Sequence, residues 1–268
     1  MDSDEGVETV PSSREGRGHA AARTPEELDA EEDDLRDGLA GLSRLSGGLD
    51  LEDLLVRVAN YAVRAIPGAD GAGLTLLEQG RADTIVATAE FVREIDAIQY
   101  GIGQGPCITA ARDAQTVMSG SLGADPRWRS FGGRVARLGV HSALSLPLVT
   151  ADGVVGAMNV YAHDKHVFDQ RAAELGEIFA IPAAVSVQNA QVLAQARRLA
   201  TRLQTALDSR AVIERATGIV MSRSGVTAEE ALARLRTLSQ NEHHKLVTIA
   251  GQIVEEAVNR ARARHQQG

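Results

Sequence analysis

The chain has 268 residues, of which 44% are hydrophobic and 3% aromatic, and its net charge at pH 7 is -8. This length and apolar content predict one or two globular domains whose cores are built from small aliphatic side chains. No apolar run approaches the roughly 18 residues of a membrane span, the N-terminus lacks the features of a signal peptide, and the single cysteine, Cys107, excludes an internal disulfide. We therefore expect a cytoplasmic protein that contacts no membrane.

Charge is distributed unevenly along the chain. Residues 1–50 contain 5 Lys and Arg residues against 14 Asp and Glu residues, whereas residues 191–268 contain 12 against 7. A polyanion would therefore be attracted to the C-terminal part and repelled by the rest of the chain. The alternative is that these charges only solvate helical surfaces.

The first predicted elements are acidic. Residues 1–24 are rich in Ser, Gly and acidic side chains and are predicted to be a disordered tail. Residues 25–48 are predicted to form a short acidic helix, with Thr24 as its cap and Glu27 at its third position, followed by a linker. An amphipathic helix is expected next, from residue 51 to residue 66.

Apolar residues then recur at every second position, which predicts β-strands arranged in two β-hairpins. The segments that carry this alternation are AGLTLLEQG and TIVATA, split by Gln79-Gly80, and SALSLPLV and GVVGAMNVYA, joined at Asp152-Gly153. The segment between the hairpins, from Glu90 to Val140, is too long for a simple loop. We expect it to place short helices over the sheet and to enclose a pocket. With a closing helix behind the second hairpin, the pattern predicts an α/β layered domain with an antiparallel sheet.

Several side chains of the middle segment have two interpretations. The glycines at 101–105 are similar to a phosphate-binding loop without the lysine of a P-loop, or they form a turn before a helix. Cys107 is either a thiol activated near a helix N-terminus or a small buried residue, and no second cysteine is available to resolve a sulfenic acid. His141, His163 and His166 have no Cys or carboxylate at ligand spacing, so neither a metal site nor a cofactor is predicted.

Five sequence segments of this region, taken in their order, resemble the GAF family of small-molecule sensor domains. They are GQGPC (103–107), ADPRW (124–128), LGVHSALSLPL (138–148), GAMNVYA (156–162) and Phe168-Asp169. The resemblance covers residues 49–190 and implies a GAF-type sensor domain with an unidentified small-molecule ligand. The candidate ligand contacts are Tyr100, Cys107, Trp128 and His141. For Trp128, the alternative is that the ring only seals the rim of the core.

Two activities of GAF relatives are not expected here. Relatives that reduce free methionine sulfoxide need several cysteines, and this chain has one. Relatives that bind cyclic nucleotides have a lysine where Val160 follows Asn159, and their later acidic pair is absent. No His, Cys, Asp or Glu constellation at catalytic spacing is present either, so we do not expect an enzyme.

Beyond the predicted GAF domain, residues spaced alternately by four and three continue within a helical pattern. They are Val185, Asn189, Val192, Ala196, Leu199, Leu203, Ala206, Arg210 and Ile213, which we call the heptad seam. This spacing predicts a coiled-coil dimerisation helix over residues 185–213 in a parallel homodimer, with Asn189 as a candidate register-setting residue. The alternative is a helix that packs on its own domain, with Pro182 as a candidate kink near its start.

The C-terminal segment predicts three helices. Ser224-Gly225 ends the first, and Thr227 caps the second with Glu230 in a capping box. Gly218 inside the first helix costs about 1 kcal/mol relative to Ala, which indicates close approach of another helix or of a ligand. The predicted apolar positions are Leu207, Ala211, Ile213, Ala216 and Val220, then Leu232, Leu235 and Leu238, then Leu246, Ile249, Ile253 and Val254.

These helices resemble the ANTAR family of RNA-binding antitermination modules. The carriers are SRAVIERATGIVM (209–221), the AEEAL and LR pattern of the second helix, and the KL, IA and IV pairs of the third. The resemblance, over residues 203–260, implies an all-α three-helix domain that binds paired stem-loops in leader transcripts. The family often has lysine at 217, an aromatic residue at 232 and asparagine at 243, where this chain has Thr, Leu and His.

Residues of the first two ANTAR helices are the candidates for RNA contacts. They are Arg210, Arg215, Gly218, Ser222, Arg223, Arg234, Arg236 and Ser239. The whole chain is thus predicted to be a GAF sensor domain joined by a coiled-coil helix to an ANTAR domain, acting in transcription antitermination. The alternative is a ligand-regulated protein-interaction module that does not bind RNA.

Overall fold

The structure is a computed structural model that describes residues 23–45, 49–78 and 81–265. Its contacts divide the chain into two compact units, Met1–Val192 and Leu193–Gly268. Apart from Arg23 and Thr24, the predicted disordered tail lies outside the described residues, as do the linker glycines 47–48 and the turn at 79–80.

Two helices precede the sheet, α1 (Pro25–Ser43) and α2 (Leu51–Ala65). The capping box predicted for α1 is confirmed, because the backbone N–H of Glu27 donates to Thr24 Oγ1 at 3.3 Å and the N–H of Thr24 donates to Glu27 Oε2 at 2.8 Å. Gly38 lets α1 approach α2 closely, since a Cβ atom at this position would lie 3.1 Å from Ala65 Cβ. The acidic first helix therefore packs on the amphipathic second one.

The sheet has five antiparallel strands in the order β2-β1-β5-β4-β3. The strands are β1 (Gly71–Glu78), β2 (Arg81–Ala87), β3 (Val117–Ser119), β4 (Ser142–Thr150) and β5 (Gly153–Ala162). Both predicted hairpins are confirmed, as β1 pairs with β2 and β4 pairs with β5. The edge strand β3 was not predicted, because three residues are too few to produce a recognisable alternation.

Alternate side chains of each strand point to opposite faces of the sheet, and both faces are covered. One face packs against α1, α2 and the start of α6 (Gln170–Ser224) through apolar side chains that include Leu74, Leu146 and Phe179. The other face is covered by α3 (Glu90–Ile102), α4 (Pro106–Asp113) and α5 (Arg129–Val135), whose Phe131 and Val135 belong to one apolar cluster with Ala143 and Tyr161 of the sheet. The segment between the hairpins thus forms the short helices predicted for it.

Helix α6 begins in the N-terminal unit and ends in the C-terminal unit at Ser224. Pro182 lies inside this helix without interrupting it, and the hydroxyl of Ser186 donates to the Pro182 carbonyl oxygen at 2.9 Å. The predicted closing helix, the heptad seam and the first predicted C-terminal helix are therefore parts of one helix. Across the described residues, no helix combines the length and the apolar character needed to cross a bilayer.

The C-terminal unit consists of the end of α6, α7 (Ala228–Asn241) and α8 (Leu246–His265). The predicted stop and cap are confirmed: Gly225 has a left-handed φ of 65°, and the N–H of Glu230 donates to Thr227 Oγ1 at 3.3 Å. A small core joins the three helices. Its buried residues are Ala216, Leu235, Ile249 and Ala250.

Three positions predicted to be apolar core of this unit are exposed. Leu207 is 63% exposed, Leu238 is 41% exposed, and Ala211 also faces solvent. Leu207 lies nine residues before the buried Ala216, which is two and a half helical turns, so the two side chains project in opposite directions. The prediction was wrong at these positions because it assigned too wide a face of each helix to the core.

Candidate functional site

A group of polar side chains is buried between the sheet and helices α3 and α4. We call it the buried polar cluster: Thr75 of β1, Asp96 and Gln99 of α3, Ser145 of β4 and Asn159 of β5. Ser145 pairs with Asn159 across β4 and β5, and Asn159 pairs with Gly73, two residues before Thr75. The three strand residues therefore share one face of the sheet. Around them, the same layer is apolar, with Val92, Ile95, Ala110, Phe131 and Ala143.

Two glycines make room for the cluster. A Cβ atom on Gly73 would lie 2.5 Å from Asp96 Oδ2, so the carboxyl group of α3 rests directly on strand β1. Gly105 similarly admits the side chain of Gln99, whose Oε1 atom a Cβ would overlap. Gly103 ends α3 with a left-handed φ of 72°, a conformation that glycine adopts readily. The glycine-rich segment is thus the turn before α4, as the second interpretation predicted.

Hydrogen bonds satisfy only part of the cluster. The Tyr161 hydroxyl donates to Asp96 Oδ1 at 3.0 Å, and the N–H of Cys107 donates to Gln99 Oε1 at 3.0 Å. Several other polar atoms make no hydrogen bond with any described residue. These atoms are Thr75 Oγ1, Asp96 Oδ2, Gln99 Nε2, Ser145 Oγ, and both Oδ1 and Nδ2 of Asn159. Because buried polar groups are normally paired, this cluster has unused capacity to bind a polar molecule.

Burial controls the acid–base chemistry here. Removal from water raises the pKa of Asp96 to about 7, against the hydrogen bond from Tyr161, which lowers it. Burial, followed by the nearby Asp96 charge, raises the pKa of the Cys107 thiol to about 11. Thr75 and Asn159 are close enough to Cys107 to act against this rise in its pKa, although they do not reach hydrogen-bond geometry. The reactive-thiol hypothesis for Cys107 is therefore wrong, and the thiol is a buried, protonated group.

The predicted ligand contacts are only partly brought together. The Tyr100 hydroxyl lies 3.2 Å from Cys107 Sγ, beside the buried polar cluster. Trp128 is buried, and its Nε1–H donates to Thr109 Oγ1 of α4 at 3.1 Å. His141 makes its hydrogen bonds to the described residues through its backbone, which accepts from Leu122 and donates to Ala162. Tyr100 and Cys107 thus adjoin the cluster, whereas Trp128 and His141 have other partners.

Sequence reasoning missed most of this cluster. Asn159 was considered only as part of a cyclic-nucleotide motif, and the other members were not singled out. The signal was present, because Thr75, Ser145 and Asn159 each stand between apolar neighbours in a strand. A polar residue at such a position is normally assigned to the solvent face, and here helices cover that face.

In the C-terminal unit, the predicted RNA contacts are exposed, apart from the half-buried Ser239, but they do not share one face. Arg210 Nε donates to Glu214 Oε1 at 2.7 Å, and Arg223 Nη1 lies 3.8 Å from Glu256 Oε2 of α8. Arg215 and Ser222 are seven residues apart, so they lie on one side of α6, away from Arg210. Arg234 and Arg236 are exposed on opposite sides of α7, since two residues correspond to about 200°. The basic side chains therefore surround the unit rather than forming a single patch.

Gly218 lies in an open cleft of about 880 Å³ between α6 and α7. We call it the α6–α7 cleft; it is lined by α6 residues between Ala206 and Met221 and by α7 residues between Ala228 and Leu232. No heavy atom of the described residues would come within 4 Å of a Cβ at Gly218. The expectation that another helix of this chain approaches Gly218 is wrong, and approach of a ligand or partner stays a prediction.

Two residues at the end of α7 have local structural roles. The Ser239 hydroxyl donates to the carbonyl oxygen of His244 at 2.6 Å and so closes the turn into α8. His243 has a left-handed φ of 55°, which accounts physically for the preference for asparagine there. Histidine in place of asparagine at position 243 therefore changes how readily the backbone adopts this left-handed conformation.

The heptad seam is largely exposed in the single chain. Leu199 and Leu203 are 58% and 57% exposed, and Val185, Val192 and Asn189 also face solvent. Ile213 is instead partly buried against the small core of the C-terminal unit. A row of exposed aliphatic side chains along one helix is typical of a surface that binds another helix.

Comparison with family models gives two matches. The GAF domain model matches residues 48–188, and the ANTAR domain model matches residues 201–254. No curated protein matches the chain.

Solved structures of low sequence identity match part of the chain. The GAF domain of a phosphoenolpyruvate-protein phosphotransferase from Coxiella burnetii is 14% identical, with 61% of this chain and 96% of that chain covered and a TM-score of 0.47. The corresponding domain from Acinetobacter is 13% identical, with 62% and 97% covered and a TM-score of 0.45. Free methionine-R-sulfoxide reductase from Neisseria meningitidis is 17% identical, with 67% and 97% covered and a TM-score of 0.43.

Proposed function

Because the chain belongs to the GAF domain family and carries an ANTAR domain behind its GAF domain, we propose that it is a transcription antitermination regulator. Its ANTAR domain binds paired stem-loops in leader transcripts in the cytoplasm, under the control of a small molecule at the GAF domain. The observation that carries this proposal is the ANTAR match over residues 201–254. No enzymatic activity is part of it.

Arginine chemistry supports RNA as the partner. The C-terminal unit presents exposed guanidinium groups on both α6 and α7, including Arg215, Arg234 and Arg236. A guanidinium group binds phosphate oxygens in a bidentate manner and stacks on bases. Loop bases of a hairpin are unstacked and accessible, whereas its A-form stem offers mainly phosphates and shape. Arginines that surround a small helical unit suit a partner with two stem-loops better than a partner that offers one flat surface.

The RNA proposal is tested by fluorescence anisotropy with a tandem-hairpin RNA and a scrambled strand of equal length. Replacing Arg236 by Ala should weaken binding and reduce the slope of log affinity against log salt by about one, because one phosphate contact is lost. The matched control is Arg57→Ala, which removes an exposed arginine from the N-terminal unit. Equal binding of both RNAs, with and without candidate small molecules, would contradict the proposal.

The heptad seam is proposed to form a parallel homodimer that transmits the signal. Replacing Leu199 and Leu203 by Glu places charges in the proposed interface and should convert a dimer to monomers in light scattering. The control replaces Leu138 and Val149 by Glu, two exposed aliphatic residues outside the seam. A dimer mass that survives the seam substitutions would assign the main interface to another surface.

One observation supports the alternative function, a module that binds a partner protein. The α6–α7 cleft is mainly apolar and carries Glu229 and Glu214, of which Glu214 is paired with Arg210, a cation that lines the same cleft. An apolar groove with the Glu229 carboxylate at its edge suits an amphipathic helix with a basic flank. If the tandem-hairpin RNA shows no preferential binding, this protein-interaction function becomes the better account.

A further inference from the structure

The buried polar cluster contains a carboxyl group without a countercharge. Asp96 is buried, and its hydrogen bond within the described chain comes from the neutral hydroxyl of Tyr161. The forces that set its pKa are burial and that hydrogen bond, and no cation contributes to them. Its second oxygen, Oδ2, faces Gly73 without a hydrogen bond to any residue in the described ranges.

Packing alone does not account for such a cluster. Each buried polar atom without a partner costs free energy, whereas an apolar side chain of the same shape would fill the space without that cost. Three different strands and helix α3 nevertheless each bring at least one unpaired polar side chain to the same layer. The combination is typical of a binding site whose ligand supplies the missing partners.

The atoms of the cluster specify the chemistry of that ligand. In its ionised form Asp96 offers Oδ2 only as a hydrogen-bond acceptor, whereas Gln99 Nε2 can only donate a hydrogen bond. Thr75, Ser145 and Asn159 can do both, and so adapt to either partner. A phosphate or carboxylate would lie near the ionised Asp96 with no cation of the cluster to neutralise either charge, which is costly away from water.

We propose that the buried polar cluster binds a compact amine or amidine that carries no negative charge, with an N–H group donating to Asp96 Oδ2 and a neutral acceptor facing Gln99 Nε2. This inference rests on the proposed sensor function of the GAF domain and specifies the class of ligand that it senses. The apolar walls formed by Val92, Ile95 and Ala110 contact the carbon skeleton of such a molecule.

The test uses the full-length protein and compounds that differ mainly in charge. Saturation-transfer NMR and titration with acetamidine, acetamide and acetate, and with benzamidine, benzamide and benzoate, compare cation, neutral amide and anion at nearly constant shape. We expect the amidines to bind at least tenfold more tightly than the carboxylates. Carboxylates that bind as tightly as the amidines, or no binding by any of the six compounds, would overturn the inference.

Variants of α3 test the site itself. Asp96→Asn keeps the size of the side chain and should weaken amidine binding at least tenfold, whereas Glu94→Gln removes an exposed carboxylate of the same helix and should leave binding unchanged. This control separates the site from general attraction of cations to an acidic protein. Equal loss in both variants, or none in either, would overturn the assignment. If Asp96→Asn does not fold, the relative affinity of the unmodified protein for amidines and carboxylates still tests the inference.

A thermal-shift screen of metabolites sorted by charge distinguishes this inference from the sensor function. Stabilisation by amines or amidines supports both. Stabilisation by anions alone, such as nucleotides or organic acids, overturns the ligand class and leaves the sensor function standing. If no compound of the screen stabilises the protein, both the ligand class and the sensor function are overturned.

Discussion

The two faces of the sheet in the N-terminal unit are both buried, but their chemistry differs. The face against α1, α2 and α6 carries aliphatic side chains such as Leu74, Leu146 and Met158. The face against α3, α4 and α5 carries Thr75, Ser145 and Asn159 within an otherwise apolar layer. The same strands therefore supply a packed core on one side and, on the other, the unpaired polar atoms of the proposed ligand site.

The largest effect is expected on the apolar face. Leu146 is fully buried there, and a Cβ at Gly176 of α6 would lie 2.8 Å from its Cδ1 atom, so helix and sheet are in tight contact. Leu146→Ala should lower the free energy of unfolding by about 2–5 kcal/mol, because it removes buried methyl groups and leaves a cavity. Urea unfolding measures the change. Leu138→Ala, at an exposed position, should change it by less than about 0.5 kcal/mol, and equal effects would contradict close packing of this face.

The polar face should be recognisable from the pH dependence of stability. Because burial raises the pKa of Asp96 to about 7, the folded protein keeps a proton that the unfolded chain releases near pH 4. The contribution of Asp96 to the free energy of unfolding is therefore fully present below about pH 4 and is lost as pH rises towards 7, by up to about 1.4 kcal/mol per pH unit.

The difference between the unmodified protein and Asp96→Asn isolates this effect. Other carboxyl groups act with the opposite sign: the pKa of Asp125 is lowered to about 2, chiefly by the hydrogen bond from Arg127, so its contribution is lost as pH falls below about 4. Unfolding free energies of both proteins between pH 4 and 8 give the difference curve. Parallel curves would show that Asp96 is not held in a buried, water-free environment.

Most of the fold was predictable because local patterns and tertiary structure agree. The capping boxes at Thr24 and Thr227 need only residues three positions apart, and the hairpins need only alternation and turn residues. The cluster was not predictable from such patterns. Whether Thr75 faces water or a helix depends on where α3 lies, which no local period encodes. Likewise, the exposure of Leu207 depends on which side of α6 meets α7 and α8.

The smallest expected effect has the opposite sign to the first. Thr75→Val exchanges a buried hydroxyl without a hydrogen bond in the described structure for a methyl group of similar shape. The substitution should raise the free energy of unfolding by about 1 kcal/mol, since it removes an unpaired buried polar atom and keeps a β-branched side chain in the strand. It should also weaken amidine binding, if the hydroxyl contributes to the ligand site. Stability would then rise while binding falls.

Thr109→Val is the matched control, because it is the same exchange at a hydroxyl that has partners. Thr109 Oγ1 accepts from Trp128 Nε1 at 3.1 Å and donates to the Gly105 carbonyl oxygen at 3.0 Å. Its loss leaves the indole N–H of the buried Trp128 without an acceptor and should lower the free energy of unfolding by about 1 kcal/mol. Chemical denaturation of both variants therefore compares the unpaired hydroxyl of Thr75 in β1 with the paired hydroxyl of Thr109 in α4. A decrease at both positions would mean that Thr75 is satisfied in the folded protein, and the polar face would then be a second structural core rather than a binding surface.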